Sequence, residues 1–331
     1  MPVGGKFGRD VTVITVTFNS AAVIATLLAT VPDHVRVILV DNASNDDTVA
    51  IARRWPNVTV LALTSNSGFG AACNAGAALC DANYVFFVNP DAWLGPGCIE
   101  TLAAAAANTP EPAAFNPRFL DQDLNLSLRG PSRFLGRARG ARVATPDGDA
   151  RLDVLHGAAL FMRRENFIGL GGFDTQIFLY FEDDDLSLRL LNHGFSLCHV
   201  HDALVHHSGG GSTPASPSLT RFKNYHWQIS ALYVAEKHEV PMRRLPLFGK
   251  LMVRWLRSVA RLNASERQKY EGRLRALLTL NGRPAYAPTV TIGERATDAK
   301  SPLCSVPPDE TRQSPSAVPV TKPTRSSRAA A

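Results

Sequence analysis

Between Val11 and Val88 the sequence swings four times between a β-branched or apolar run and a polar turn, with helical periodicity in between. No other feature restricts the fold as much. Val11–Thr17 reads as a buried strand because three of its residues are valine, three threonine and one isoleucine. Asn19-Ser20 offers a helix cap before the periodic stretch Ala21–Leu28. Val35–Val40 is a second strand, closed by Asp41-Asn42-Ala43-Ser44, and Asp46 or Asp47 caps a helix from Thr48 to Trp55. Val58–Leu63 is a third strand, Asn66–Gly70 a glycine-rich turn into the helix Ala71–Leu79, and Tyr84–Val88 a fourth strand. Strands alternating with helices in this way predict an α/β fold with a mostly parallel central sheet and helices on both faces. Such sheets bind ligands at the carboxyl ends of their strands. Asp41, Asn66 and Asp91 each follow a strand, so one crevice could hold all three.

Beyond this the rhythm is less regular. From about Glu111 to Asp149 it dissolves into Pro, Gly and Arg, read as loops with a hairpin around Arg129-Gly130-Pro131. Val154–Met162 and Phe195–Val200 read as strands, Gly169–Asp174 as a turn, and Asp185–Asn192, Thr220–His238 and Leu245–Leu280 as helices. After Pro284 the composition shifts to Pro, Ser, Ala and Thr, as in a disordered tail. The five cysteines are scattered and never spaced C-x-x-C, which argues against a disulfide framework or a zinc site and fits a reducing cytosol. Met1–Asp10 lacks the apolar core of a signal peptide, and no apolar run approaches the ~18 residues of a membrane span. The expectation is a protein that is soluble or rests on a membrane surface. Net charge is +6, yet no basic stripe interleaved with aromatics is present, so no nucleic-acid partner is expected.

Two acidic signals stand out. Glu182-Asp183-Asp184-Asp185 follows the aromatic run Phe178-Leu179-Tyr180-Phe181 and opens a helix. Crowded carboxylates against apolar groups favour a perturbed pKa, as a general base requires, although acids at a helix start also simply complement its dipole. Asp185 and Arg189, four apart, read as an intrahelical ion pair. The second signal is Asn89-Pro90-Asp91, either a β-turn or a carboxylate for Mg²⁺ or Mn²⁺. Asp41 is either a turn cap or an acceptor for a pyrimidine N–H. In Asn66-x-Gly68-Phe69-Gly70-x-x-x-Asn74-x-Gly76, Cys73 stands where a dinucleotide loop needs Gly or Ala. The glycines otherwise allow close backbone approach to a nucleotide, with Asn66 and Asn74 as polar anchors. His206 and His207 cannot point the same way on a strand, so one of them at most is a ligand.

Taken in order, Val13–Ser20, Val40–Ser44, Asn66–Gly76, Phe87–Asp91, Gly171–Asp174, Tyr180–Arg189 and His207–Ser212 resemble inverting family 2 glycosyltransferases of the GT-A fold, closest to their rhamnosyltransferase-like branch. The resemblance covers Asp10–Ser212. It implies a nucleotide-sugar (dTDP- or UDP-sugar) donor held by Thr17, Asn19, Asp41, Asn66, Gly68, Asn74, Asn89 and Asp91. It implies a divalent metal, Mn²⁺ or Mg²⁺, on Asp91 and His207, with His206 as the rival ligand. Asp183 would be the catalytic base, Glu182 would orient it or bind acceptor hydroxyls, and Gly172, Phe173 and Asp174 would shape the acceptor side. Asn89 replaces the first Asp of the family's DxD motif, leaving fewer charges on the metal. The acceptor would be a glycan or polyprenyl-linked sugar in cell-surface polysaccharide synthesis.

The organisation expected is a donor-binding half at 8–110, an acceptor and catalytic half at 111–215, a helical region at 216–284 and the tail at 285–331. Arg243, Arg244, Lys250, Arg254, Arg257 and Arg261 alternate with apolar residues, which fits peripheral contact with an anionic membrane at the cytosolic face or, equally, a helix packed on the catalytic part. The rival functions are a nucleotidyltransferase, which lacks its basic glycine-rich loop here, and a sugar-nucleotide-binding protein with a weakened site.

Overall fold

In the computed structural model the described residues are 10–111, 113–121, 123, 125–126, 132–134, 147–209 and 216–279. The expected hairpin at Arg129–Pro131, Gly210–Ser212 of the last motif and the tail lie outside them. The elements run β1 (Val11–Thr17), α1 (Ile24–Thr30), β2 (Arg36–Asp41), α2 (Thr48–Ala52), β3 (Val58–Ala62), α3 (Phe69–Ala78), β4 (Tyr84–Val88), β5 (Ala92–Leu94) and α4 (Cys98–Asn108). They continue with β6 (Ala113–Leu120), β7 (Ala150–Arg151), β8 (Ala159–Arg163), α5 (Arg164–Gly169), α6 (Glu182–Asn192), β9 (Ser196–His207), α7 (Pro217–Lys237), α8 (Arg244–Ala260) and α9 (Ala264–Leu278).

One sheet organises the chain, in the order β3-β2-β1-β4-β8-β6-β9-β5, with β7 on the flank of β9. Pairing is parallel from β3 through β4 and between β6 and β9, and antiparallel at β4–β8, β6–β8 and β5–β9. Alternation along the strands sorts side chains onto two cores. Val11, Val13, Val37, Leu39 and Phe86 pack with α1, α2 and α4. Ile14, Ile38, Val40, Val85 and Phe87 pack with α3, α5 and α6. Gly76 lets α3 lie close on the second face: a Cβ there would stand 2.7 Å from the Ile14 side chain and 3.0 Å from that of Val40.

Three expectations need correction. The stretch read as loops from Glu111 contains β6, an interior strand. Its Pro117 speaks against a strand by the usual rule, but it sits where the β6–β9 register shifts, so the missing N–H interrupts a ladder already broken. Val154–Gly157 is not strand, because its amides are taken by side chains: Leu155 N donates to Ser187 Oγ, His156 N to Asn116 Oδ1 and Gly157 N to Asp183 Oδ2. Leu245–Leu280 is two helices. Leu262 turns left-handed (φ 53°) and the Asn263 side chain accepts the Glu266 amide, starting α9. Among the described residues no helix is long and apolar enough to cross a membrane.

Candidate active site

The turn after β4 is both a turn and a presenter of charge. Ala92 N donates to the Asn89 carbonyl at 3.1 Å with Pro90 inside the turn, and this leaves Asp91 immediately before β5. Because β5 pairs with β9 so that Ala92 faces His207 and Trp93 faces His206, the two histidines take opposite sides. His206 stacks on Trp93, ring centroids 5.1 Å apart and planes 2° from parallel. His207 Nε2 approaches Asp91 Oδ1 to 3.4 Å, and these side chains are 14% and 4% exposed. The structure therefore brings His207, not His206, to Asp91.

A cation bound at ~2.1 Å to both groups would set neighbouring octahedral donors about 3 Å apart. The observed pair needs only a small adjustment to share one ion. Among the described residues no group of three or more His, Cys, Asp and Glu could hold a metal. Two protein ligands fit a hard cation whose remaining positions are filled by substrate oxygens and water.

A cavity of about 510 Å³ opens at this pair. Its wall holds Thr17 and Phe18 from the end of β1, Asn42 after β2, Asn66 and Gly68 before α3, Asn89, Asp91 and His207, the segment Phe178–Tyr180, and Leu219, Phe222 and Lys223 from α7. The carboxyl ends of the parallel strands thus do form one crevice. The sequence missed Phe18, Phe178, Tyr180 and Lys223. Phe178 and Tyr180 were legible only as members of the aromatic run ahead of the four acids.

Several expected donor contacts turn inward. Asp41 is 2% exposed, and it accepts from Thr17 Oγ1 at 3.0 Å, Ser44 N at 2.9 Å and Ser44 Oγ at 2.6 Å. It closes its own turn. Asn19 likewise ties the end of β1 to the β2 loop, accepting from Asn45 N. The Asn74 amide is used on both sides by Phe173, donating to its carbonyl at 2.8 Å and accepting its N–H at 2.9 Å. Gly68 has φ +87°, and a Cβ there would lie 2.6 Å from the Phe178 carbonyl oxygen, which also accepts the Phe69 N–H at 2.9 Å. The close approach that requires glycine is to the protein's own backbone.

Of the four acids, Glu182, Asp184 and Asp185 are buried and Asp183 alone is partly exposed. They begin α6 immediately after two left-handed aromatic residues, Tyr180 (φ 70°) and Phe181 (φ 67°). Such backbone costs about 1–3 kcal/mol per residue and is found where the surroundings fix it. Here Phe181 rests edge-on against Phe134, ring centroids 5.4 Å apart. Asp183 Oδ2 accepts from Gly157 N and its Oδ1 from Asp184 N, both at 2.9 Å. The neighbouring His156 ring meets His207 edge to face at 5.8 Å. The turn His156-Gly157 thus spans from Asp183 to the Asp91–His207 pair. Asp183 is not itself in the cavity wall, whereas Tyr180 is.

Asp185 has a displaced pKa, and the displacement is downward. Burial alone would raise it, but His238, Arg189 and Lys237 outweigh burial and hold it at about 2. Asp185 Oδ2 pairs with Arg189 Nε at 2.8 Å, as its spacing predicts, and Oδ1 meets Lys237 Nζ at 2.7 Å and His238 Nε2 at 2.8 Å. Lys237 and Tyr233 also bind Asp174 Oδ2, and Arg189 donates to the carbonyls of Leu170 and Gly172. Gly172, Phe173 and Asp174 therefore border a separate shallow hollow with Lys237, and Phe173 is 2% exposed. The structure does not bring them to the wall of the large cavity.

The Glycosyl transferase family 2 model matches residues 12–167. N-acetylglucosaminyl-diphospho-decaprenol L-rhamnosyltransferase of Mycobacterium tuberculosis is 31% identical over 260 residues, 66% of this chain and 84% of that one. The chain belongs to glycosyltransferase family 2. It is a glycosyltransferase, similar to the rhamnosyltransferase branch of the family. The pre-mycofactocin glycosyltransferase of the same organism is 29% identical over 213 residues, 62% of this chain and 44% of that one. A crystal structure of GalNAc-T7 with UDP, GalNAc and Mn²⁺ superposes with a TM-score of 0.50 at 16% identity, covering 69% of this chain and 54% of that one. The GT-A fold expected from the resemblance is the fold of this family member.

Proposed function

We infer that the enzyme moves a sugar, with inversion, from a nucleoside-diphosphate donor to a hydroxyl of a lipid-linked glycan. The observation that carries this reading is the Asp91–His207 pair in the wall of one cavity, with Asp183 linked to it through the His156-Gly157 turn outside that wall. Asp91 and His207 would hold Mn²⁺ or Mg²⁺, and a bound cation would neutralise the charge that grows on the departing diphosphate. Thr17, Asn66, Gly68 and Asn89 form the donor side of the wall. Asp41, Asn19 and Asn74 support it from behind.

Asp183 acts as the base. A sugar hydroxyl is far too weak an acid to ionise near neutrality, so its proton must pass to a carboxylate as the new C–O bond forms. The two backbone amides fix the carboxylate's direction. Glu182 orients this segment. With one base and no enzyme nucleophile, the hydroxyl oxygen attacks the anomeric carbon as the nucleoside diphosphate leaves, which inverts the centre. Gly172, Phe173 and Asp174 brace α6 and α3 and set the acceptor side indirectly.

L-rhamnose as the sugar and a polyprenyl diphosphate sugar as the acceptor are supported by the name of the mycobacterial relative. Contact with the cytosolic face of an anionic membrane is supported by α8. Leu245, Val253 and Leu256 are 85%, 48% and 54% exposed, beside exposed Arg254 and Arg257. A thermal-shift screen of nucleotide sugars with Mn²⁺ tests the donor assignment: a dTDP- or UDP-sugar should raise the melting temperature, and Asp183→Asn should keep that shift while losing transfer. Absence of a shift with every donor would refute the reading.

A further inference from the structure

One cation in the wall of the large cavity is neither metal ligand nor base. α7 enters that wall with Leu219, Phe222 and Lys223, a spacing that sets all three on one face of the helix. Lys223 is half-buried and, among the described residues of the wall, is the one lysine or arginine. It differs from the other basic residues of α7. Arg221 pairs with Glu271 at 3.4 Å, and Lys237 pairs with Asp185 at 2.7 Å and also with Asp174. Among the described residues Lys223 has neither an ion pair nor a hydrogen bond. Drawing an ammonium partly out of water without a counter-charge is unfavourable, and a bound anion would remove that cost. Its place is nonetheless fixed. The Phe222 ring meets Phe178 edge to face at 5.8 Å and lies 4.4 Å from His226. On another flank, a Cβ on Gly272 would meet the Arg221 carbonyl oxygen and the Tyr225 amide nitrogen, so α9 lies directly on the turn that carries Lys223. The charges of the site point the same way. A divalent ion on Asp91 and His207 would keep one net positive charge, since Asn89 of the same wall is neutral. The diphosphate of a nucleotide sugar carries two negative charges, and Lys223 brings the second positive one.

We propose that Lys223 binds the diphosphate of the nucleotide-sugar donor directly, from the α7 wall of the cavity, while Asp91 and His207 hold the metal at the β5–β9 wall. This deepens the function above and rests on it. As the bond between the anomeric carbon and the diphosphate oxygen breaks, its electron pair stays on that oxygen. The ammonium stabilises the added charge without giving up a proton, and its flexible stem lets it follow the departing group.

Calorimetric titration of the full-length protein with UDP and with dTDP, in Mn²⁺, tests this. Lys223→Gln should weaken binding of whichever nucleotide the wild type takes by about 10–100-fold, the range of one charge-assisted hydrogen bond. Lys223→Arg should recover most of that loss. Without ligand both variants should melt at the wild-type temperature, because Lys223 has no partner to lose. Unchanged nucleotide affinity in Lys223→Gln overturns the proposal and leaves the function above standing. Affinity lost in both variants together with a lowered ligand-free melting temperature also overturns it, since the lysine would then be structural. Farnesyl diphosphate separates the other diphosphate source, a lipid-linked acceptor: if Lys223→Gln loses its binding and keeps that of the nucleotide, the lysine serves the acceptor and the proposal fails. Binding of neither nucleotide by the wild type would refute the donor reading itself, and this proposal with it.

Discussion

Asp183 and Asp185 lie two residues apart at the start of one helix, and the fold uses them in opposite ways. Asp185 is fully buried, and Arg189, Lys237 and His238 converge on it. Asp183 is partly exposed, takes backbone amides from Gly157 and Asp184, and stands by the turn that leads to Asp91 and His207. The first carboxylate spends its charge on holding α6, α7 and the Gly172 loop together. Density of acids in a sequence therefore marks a site without telling which acid works; saturation by cations tells which one does not.

The contrast breaks most clearly in activity. Asp183→Asn should lower turnover by about 10²–10⁴-fold, the range of a positioned general base, with the melting temperature and donor binding kept. A variant with near-normal turnover would remove the base assignment. Asp185→Asn should do the reverse and cost about 3–5 kcal/mol of stability, since it strands buried cations; urea unfolding measures it. The same carboxylate gives a pH signature. Its folded pKa, about 2, lies below the ordinary 3.8, so its contribution is complete above pH 3.8 and is lost as pH falls toward 2. That contribution is about 2 kcal/mol, and the gap in unfolding free energy between the wild type and Asp185→Asn should narrow by about that much through this window. His207→Ala should raise the Mn²⁺ concentration needed for half activity by about 10–100-fold, whereas His206→Ala should not. Gly68→Ala should destabilise by about 1–3 kcal/mol, from its positive φ and the Phe178 carbonyl.

Much of this was legible from residue order. β1, β2 and β4 were readable because buried parallel strands are written as uninterrupted β-branched and aromatic runs, and the half-exposed edge strand β3 was readable from its β-branched residues. β6 was not, because Pro117 hides a strand whose bulge tolerates it, and the end of α8 was passed over although Asn263-Ala264-Ser265-Glu266 carries a capping pattern. Asp91, Asp183 and His207 were visible as chemical types in order. Asn74, Asp41 and Gly68 were visible too, but their partners were not. A buried amide that grips a nucleotide and one that grips Phe173 call for the same residue, and only coordinates tell them apart.

Phe178 joins two functions mechanically. Its carbonyl holds the first amide of α3 at the nucleotide end, and five residues further on the chain delivers Asp183. Between the two the chain is short, and it is left-handed at Tyr180 and Phe181. On the roles proposed above, donor occupancy and the aim of the base would be mechanically geared to one another.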